Sequence, residues 1–180
     1  MKNDYLNSKG INLILDKKIK EMSFSGAAID SKQVKKSNIF FALKGKNTDG
    51  HRYLDEAFKN GASLAIVEKI QRKIKHPQVK VHNVHRAMIK LAKYYRNELK
   101  GTIIAITGSV GKTGTKDALS RIIAKEYKIF CSRKSYNNNI GLPLEILNMS
   151  KKDDIGIFVL GMNHKNELSK LTKILQPDIS

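Results

Sequence analysis

Residues 106–114 read ITGSVGKTG, a glycine-rich stretch ending in Gly111, Lys112 and Thr113. That ending matches the last part of the phosphate-loop pattern G-x-x-x-x-G-K-[ST], while the position of its first glycine is held by Ile106. The chemistry open to such a stretch is electrostatic. Between a buried strand and the first turn of a helix, successive backbone N–H groups converge on phosphate oxygens, and the helix start adds partial positive charge. Glycine lets the backbone take positive φ and approach a ligand closely. In this geometry Lys112 reaches the β- and γ-phosphates and Thr113 offers its hydroxyl to Mg2+. The missing early glycine shortens the arch and leaves the G-K-T end intact. The candidate phosphate-binding residues are therefore Thr107, Gly108, Ser109, Val110, Gly111, Lys112, Thr113 and Gly114. Asp117, in the early helix, suits the helix dipole without any ligand.

The elements that must position this loop are legible around it. TIIAIT (102–107) is a β-branched run of the kind buried on both faces of a parallel sheet. The loop follows, then a helix to about residue 126. YKIFC (127–131) and IGIFVL (155–160) read as strands; GLPLEILNM (141–149, with Pro143 near its start) and residues 166–175 read as helices. This alternation predicts a parallel, doubly wound sheet. Before it, NIFFALK (38–44) and SLAIV (63–67) read as strands. Between them lies a helix over 51–60 with Tyr53, Leu54, Ala57 and Phe58 on its apolar face, stopped at Asn60-Gly61. QRKIKHPQ reads as an exposed connection. A helix from Val84 to Leu99 carries Met88, Leu91, Ala92, Tyr95 and Leu99 as its stripe. Lys100-Gly101 breaks that pattern, placing a domain boundary near 98–101.

Composition narrows the function classes. The 180 residues include 34 Lys and Arg against 16 Asp and Glu, a formal charge of +18. The cations are spread along the chain, and no nucleic-acid-binding signature accompanies them, so no nucleic-acid partner is expected. The single cysteine, Cys131, excludes an internal disulfide and a multi-cysteine zinc site. The apolar run INLIL, ended by Asp16, is too short for a signal peptide, and no stretch approaches a membrane span. The expected compartment is the cytoplasm, with no membrane partner. His76, His82 and His85 match no site pattern.

The loop variant T-G-S-x-G-K-T resembles that of the Mur ligases, cytoplasmic ATP-dependent enzymes that build the peptidoglycan stem peptide. The stretch DSKQVKKSNIFFALKGKNTDGHRYLDEAFKNGASLAIVE (30–68) is similar to the family's N-terminal domain, which binds a UDP-sugar-peptide. TGSVGKTGTK (107–116) and SYNNNIGLPLEIL (135–147) look most like the branch that adds D-alanyl-D-alanine, and LGMNHKNEL (160–168) resembles the motif E-L-G-x-N-H-x-G-E-[IL]. The resemblance implies an α/β protein in two parts. A small N-terminal α/β substrate-binding domain spans 1–99, and the truncated start of a P-loop parallel-sheet ATPase domain spans 100–180, with the C-terminal domain absent. It implies ATP and Mg2+ as cofactors, and UDP-N-acetylmuramoyl-tripeptide and D-alanyl-D-alanine as substrates. The tripeptide carboxylate is phosphorylated by ATP, and the amine of D-alanyl-D-alanine attacks the acyl phosphate. Lys112 and Thr113 are the catalytic candidates. Substrate-binding positions carry over to Ser31, Lys32, Asp49, His51, Asn137 and Asn138, with Gly50 in the same motif as Asp49.

Two departures qualify the resemblance. The family's magnesium-holding glutamate falls at Val159, which has no oxygen to offer a hard cation. Asp153 and Asp154 precede the strand and lie at its wrong end to replace it. Asn166 stands where the motif has glycine. The chain also stops at Ser180, so an exposed sheet edge and no ligation by this polypeptide alone are expected. A second chain supplying the missing domains is one implied partner. A non-catalytic UDP-sugar-binding module and a basic nucleic-acid binder are the competing readings.

Overall fold

The computed structural model describes residues 4–45, 48–133, 136–161 and 167–180. The chain divides into two compact units, Met1–Tyr94 and Tyr95–Ser180.

The first unit is built on an all-parallel four-stranded sheet whose strands lie side by side in chain order. Helix α1 (Ser8–Leu15) leads into β1 (Ala27–Ala28), a 3₁₀ turn (Ser31–Gln33), β2 (Ile39–Phe41) and a second 3₁₀ turn (Gly50–Tyr53). Then come α2 (Leu54–Lys59), β3 (Leu64–Val67), β4 (Gln78–Lys80) and α3 (Val84–Glu98), which runs across the unit boundary. Strands β2 and β3 are buried along their whole length, as continuous apolar runs in a parallel sheet should be. One side of the sheet packs Phe40, Ala42, Ala65 and Val67 against Leu54, Ala57 and Phe58.

Two local expectations change here, and one segment gains a structure. Tyr53 is not on the apolar face of the 51–60 helix; the first turn is 3₁₀ and leaves the ring 42% exposed. The QRKIKHPQ segment is not wholly a connection, because Gln78 begins β4 and the Pro77 carbonyl accepts the Ala65 amide at 3.1 Å. Proline at a strand's start keeps its carbonyl for the ladder while lacking a donor. INLIL ends a true helix: Asn7 Oδ1 accepts the Gly10 amide at 3.1 Å at its start, and Asp16 closes it in the left-handed region.

The second unit holds a three-stranded parallel sheet ordered β5-β7-β6. Its elements are β5 (Thr102–Ile106), α4 (Lys112–Ile123), β6 (Ile129–Cys131), α5 (Gly141–Asn148), β7 (Ile155–Val159) and α6 (Glu167–Leu175). Because β7 sits between the two earlier strands, the loops after β5, β6 and β7 converge at one end of the sheet, where ligands bind in such folds. β5 is less buried than its composition suggests: Ile103 and Ala105 are enclosed, whereas Ile104 and Ile106 are half-exposed. Its outer edge is partly paired, since Ala105 N–H donates to the Ile179 carbonyl and Asp178 N–H to that of Ile103, each at 2.8 Å. Arg96 secures this pairing. Its guanidinium donates to the Leu175 and Gln176 carbonyls at 2.8 Å and to Asp178 Oδ2 at 3.0 Å. No described helix is long and apolar enough to cross a membrane.

Candidate functional site

The glycine loop leaves the carboxyl end of β5 and enters α4 at Lys112, with Gly111 as the N-cap. Gly108 has φ 143° and Gly111 has φ 81°, both in territory that L-residues avoid. Space is not the reason for either glycine. A Cβ at Gly111 would meet nothing within 4 Å, and one at Gly108 would come no nearer than 3.8 Å to the Val110 carbonyl. The amides of Ser109 to Gly114 donate to no protein acceptor among the described residues; those of Lys112 to Gly114 are the first-turn donors that a helix start leaves open. Val110 is 89% exposed at the crest. Lys112 Nζ folds back over the loop, donating to the Gly108 carbonyl at 2.5 Å and to that of Ser109 at 3.3 Å. The ammonium therefore sits above the loop's own backbone and has no carboxylate partner among the described residues. Thr113, at the second helical position, is exposed. At the loop's base, Thr107 Oγ1 donates to the Leu160 carbonyl at 3.3 Å, tying it to the end of β7.

A second loop, after β6, stands beside the first. Ser132 is buried; its Oγ accepts the Val159 amide at 3.1 Å and its carbonyl accepts Lys116 Nζ at 3.0 Å. Glu145 of α5, 1% exposed, accepts the Arg133 backbone amide at 2.9 Å, Nε at 2.8 Å and a terminal guanidinium nitrogen at 2.7 Å. The Arg133 guanidinium also lies 4.2 Å from the Tyr136 ring centre. Asn137 and Asn138, substrate-binding candidates, both have structural duties here. The Asn137 carbonyl accepts the Gly161 amide at 3.0 Å, and its side chain lies so close that a Cβ on Gly161 would come within 2.6 Å of Nδ2. Asn138 Oδ1 accepts the amides of Ile140 and Gly141 at 3.1 and 2.8 Å, capping the entry to α5.

Sequence alone does not show the Arg133–Glu145 pair. Its only signal is a glutamate inside the apolar run GLPLEIL. Asn163, His164 and Asn166 lie outside the described residues, as does Ser135.

Val159 closes β7 opposite Ile106, in line with the loop. The described residues contain no cluster of three or more His, Cys, Asp or Glu able to hold a metal. Asp153 and Asp154 stand at the opposite end of β7, where they accept the Ser150 and Lys128 amides. Among the described residues at this end of the sheet, the Thr113 hydroxyl is the group placed to reach a phosphate-bound Mg2+, and no carboxylate stands at the Val159 position.

In the first unit, Ser31 is buried rather than presented. Its Oγ donates to Glu56 Oε2 at 2.6 Å and its carbonyl accepts Asn60 Nδ2 at 2.9 Å. Neighbouring Lys32 is exposed, its amide held by Asp30 Oδ1 at 3.0 Å. Asp49 caps the second 3₁₀ turn by accepting the His51 amide at 3.0 Å. His51 is enclosed, and both ring nitrogens are engaged. Nε2 accepts the Glu68 amide at 2.9 Å, so Nδ1 carries the proton and donates to Asp49 Oδ1 at 2.7 Å. The backbone and then the side-chain hydrogen bonds from His51 hold the Asp49 carboxyl below its ordinary range. His51 therefore fastens the end of β3 to the Asp49 turn and has no free ring nitrogen for a ligand. Asp49 and His51 line a cavity of about 320 Å3 with Lys44, Arg52, Lys69 and Gln71; Ser31 and Lys32 lie elsewhere.

A strand, a glycine loop and a helix opening on Lys-Thr, set in a parallel sheet that follows another parallel α/β unit in the chain, define a two-unit protein of the phosphate-loop class. Residues 23–96 match the family described as Mur ligase family, catalytic domain, and residues 106–180 match the Mur ligase middle domain. The chain belongs to the Mur ligase family. Over 176 residues it is 40% identical to the UDP-N-acetylmuramoyl-tripeptide–D-alanyl-D-alanine ligase of Rickettsia prowazekii, covering 97% of this chain and 39% of that protein. The protein of the same name from Bacillus subtilis is 32% identical over 155 residues, 85% of this chain and 34% of its own. The solved structure of an Acinetobacter baumannii D-alanyl-D-alanyl ligase matches with TM-score 0.82 at 27% identity, over 98% of this chain and 41% of that one. A Thermotoga maritima MurF ligase solved in complex with ADP matches with TM-score 0.70 at 33% identity, over 85% of this chain and 36% of its own. The chain thus spans about two fifths of the length of the relatives it matches.

Proposed function

We propose that this chain supplies the ATP-binding loop and the UDP-sugar-peptide-binding unit of a ligase that adds D-alanyl-D-alanine to UDP-N-acetylmuramoyl-tripeptide during peptidoglycan precursor synthesis. Residues 1–99 are assigned to the UDP-linked substrate and 100–180 to ATP. The observation that carries the nucleotide reading is the loop: six consecutive amides without protein acceptors among the described residues, at a helix start beneath the Lys112 ammonium. In phosphoryl transfer most of the work is positioning and charge neutralisation, which such a cradle supplies. The γ-phosphoryl group passes to the tripeptide carboxylate. The amine of D-alanyl-D-alanine attacks the acyl carbon, and phosphate leaves. Lys112 exchanges its bonds to the Gly108 and Ser109 carbonyls for phosphate oxygens, and Thr113 orients the same group by its hydroxyl. The Thr113 hydroxyl is the group that would meet a phosphate-bound Mg2+, which would supply further charge neutralisation, and no step is assigned to the metal.

The full 180-residue chain is titrated with ATP by calorimetry, alongside Lys112→Met. Loss of a charge-assisted contact to phosphate weakens ATP binding by about tenfold or more. Equal affinity for the two proteins, or no binding by the unaltered chain, overturns the nucleotide reading. Binding of the UDP-linked tripeptide without ATP affinity favours instead a module that only holds the UDP-sugar.

A further inference from the structure

α4 raises a packing puzzle. Among its described residues the one that is buried is Lys116, 8% exposed, while Ile122 on the same helix is 68% exposed. Burying an ammonium is costly unless it is paired and hydrogen-bonded. Here the partners are the Ser132 carbonyl at 3.0 Å and Asp117 Oδ1 at 3.6 Å. An apolar residue at this position would pack without that cost.

Position explains the choice. Lys116 follows Lys112 by four residues and Thr113 by three, so all three share one face of α4. One end of that face is the glycine loop. The other is bonded to Ser132, whose Oγ takes the Val159 amide and whose chain neighbour Arg133 is clamped by Glu145. From this anchored point the backbone runs to Asn137, which holds Gly161, and to Asn138, which caps α5. A shift of the helix start therefore reaches the loop after β6 through Lys116.

We infer that Lys116 is a positioning residue that transmits occupancy of the glycine loop to residues 136–142, beyond β6. This rests on the nucleotide reading given above. The experiment is amide hydrogen exchange on the full chain with and without saturating ATP, for the unaltered protein, Lys116→Met and Lys116→Arg. In the unaltered protein ATP slows exchange across residues 136–142. In Lys116→Met that response is lost, and nucleotide-free exchange there rises by about tenfold or more, the worth of one hydrogen bond to a charged donor. Its ATP affinity falls by less than that of Lys112→Met, since Lys116 braces the helix from beneath and makes no contact with the glycine loop. Lys116→Arg, which keeps a cationic donor, restores the response. ATP binding without any effect on 136–142, or a Lys116→Met variant that responds like the unaltered protein, overturns the inference. Should the unaltered chain bind no ATP, the nucleotide reading falls separately. The tether is then judged on nucleotide-free exchange alone: faster exchange confined to 136–142 in Lys116→Met supports it, and unchanged exchange overturns it.

Discussion

Gly111 and Gly114 lie three residues apart in one loop-to-helix junction, and substituting alanine at each should change stability in opposite directions. Neither site is crowded, since a Cβ at either would meet nothing within 4 Å. Steric repulsion therefore drops out and backbone conformation alone decides. Gly111 has φ 81°, where an L-residue costs about 1–2 kcal/mol. Gly114 is the third residue of α4, in ordinary helical conformation, where alanine gains about 0.8–1.0 kcal/mol over glycine. Gly111→Ala should thus lower stability and Gly114→Ala raise it, separating the two by about 2–3 kcal/mol. For a chain of this size each kcal/mol moves the midpoint by about 2–4 °C, so calorimetry of the full chain should show a gap of about 4–12 °C. A neutral Gly111→Ala would mean that the left-handed turn is not required. Gly114→Ala without stabilisation would mean that the first turn of α4 is not helical in solution. Either result removes the geometric basis of the amide cradle.

Two further outcomes follow from polar groups enclosed in each unit. Arg133→Met strands the 1%-exposed Glu145 carboxylate with one backbone amide, whereas Glu145→Gln leaves a 47%-exposed guanidinium that water can reach. Calorimetry should therefore find Arg133→Met costing about 3–5 kcal/mol and Glu145→Gln clearly less; equal costs would refute this asymmetry. In the first unit, Asp49→Ala removes a cap and should cost about 1 kcal/mol at neutral pH. The Asp49 carboxyl is held below its ordinary range when folded, so its contribution is present above the unfolded value of about 3.9 and fades as pH falls through the folded value. The stability difference between the unaltered chain and Asp49→Ala should shrink below about pH 4, and a gap that widens there would contradict the assignment.

What could be read in advance divides along a physical line. Strands β2, β3, β5, β6 and β7 announce themselves as apolar runs, and α3 by its repeating stripe, because local composition and burial agree there. β1 is two residues long and β4 begins after Pro77, so each depends on neighbours to be a strand at all. The glycine loop is legible because positive φ demands a particular residue type. The duties of His51, Asn137 and Asn138 are not. Sequence marks them as polar and well placed for a ligand, and only tertiary contact shows their atoms bonded to Glu68, Gly161 and the start of α5. Arg133 and Glu145 are twelve residues apart, beyond any helical or strand spacing, and their pairing is set by the sheet.

The same contrast bears on how the site keeps its shape. A phosphate cradle made of exposed amides has no side chains of its own to brace it, since glycine and an exposed valine supply almost no packing. Its order must come from beneath. Thr107 ties the loop's base to Leu160, Ser132 ties β6 to Val159, and Lys116 ties α4 to Ser132. These three contacts link the carboxyl ends of β5, β6 and β7. The amides above are left open for an anion because the polar groups below have already satisfied one another. Preorganisation of this kind avoids reordering the loop when charge arrives, which is where an electrostatic site gains its advantage over water. It also explains why Lys116 is a lysine. An apolar residue could fill that volume, but it could not reach across from a helix to hold the carbonyl from which the second loop departs.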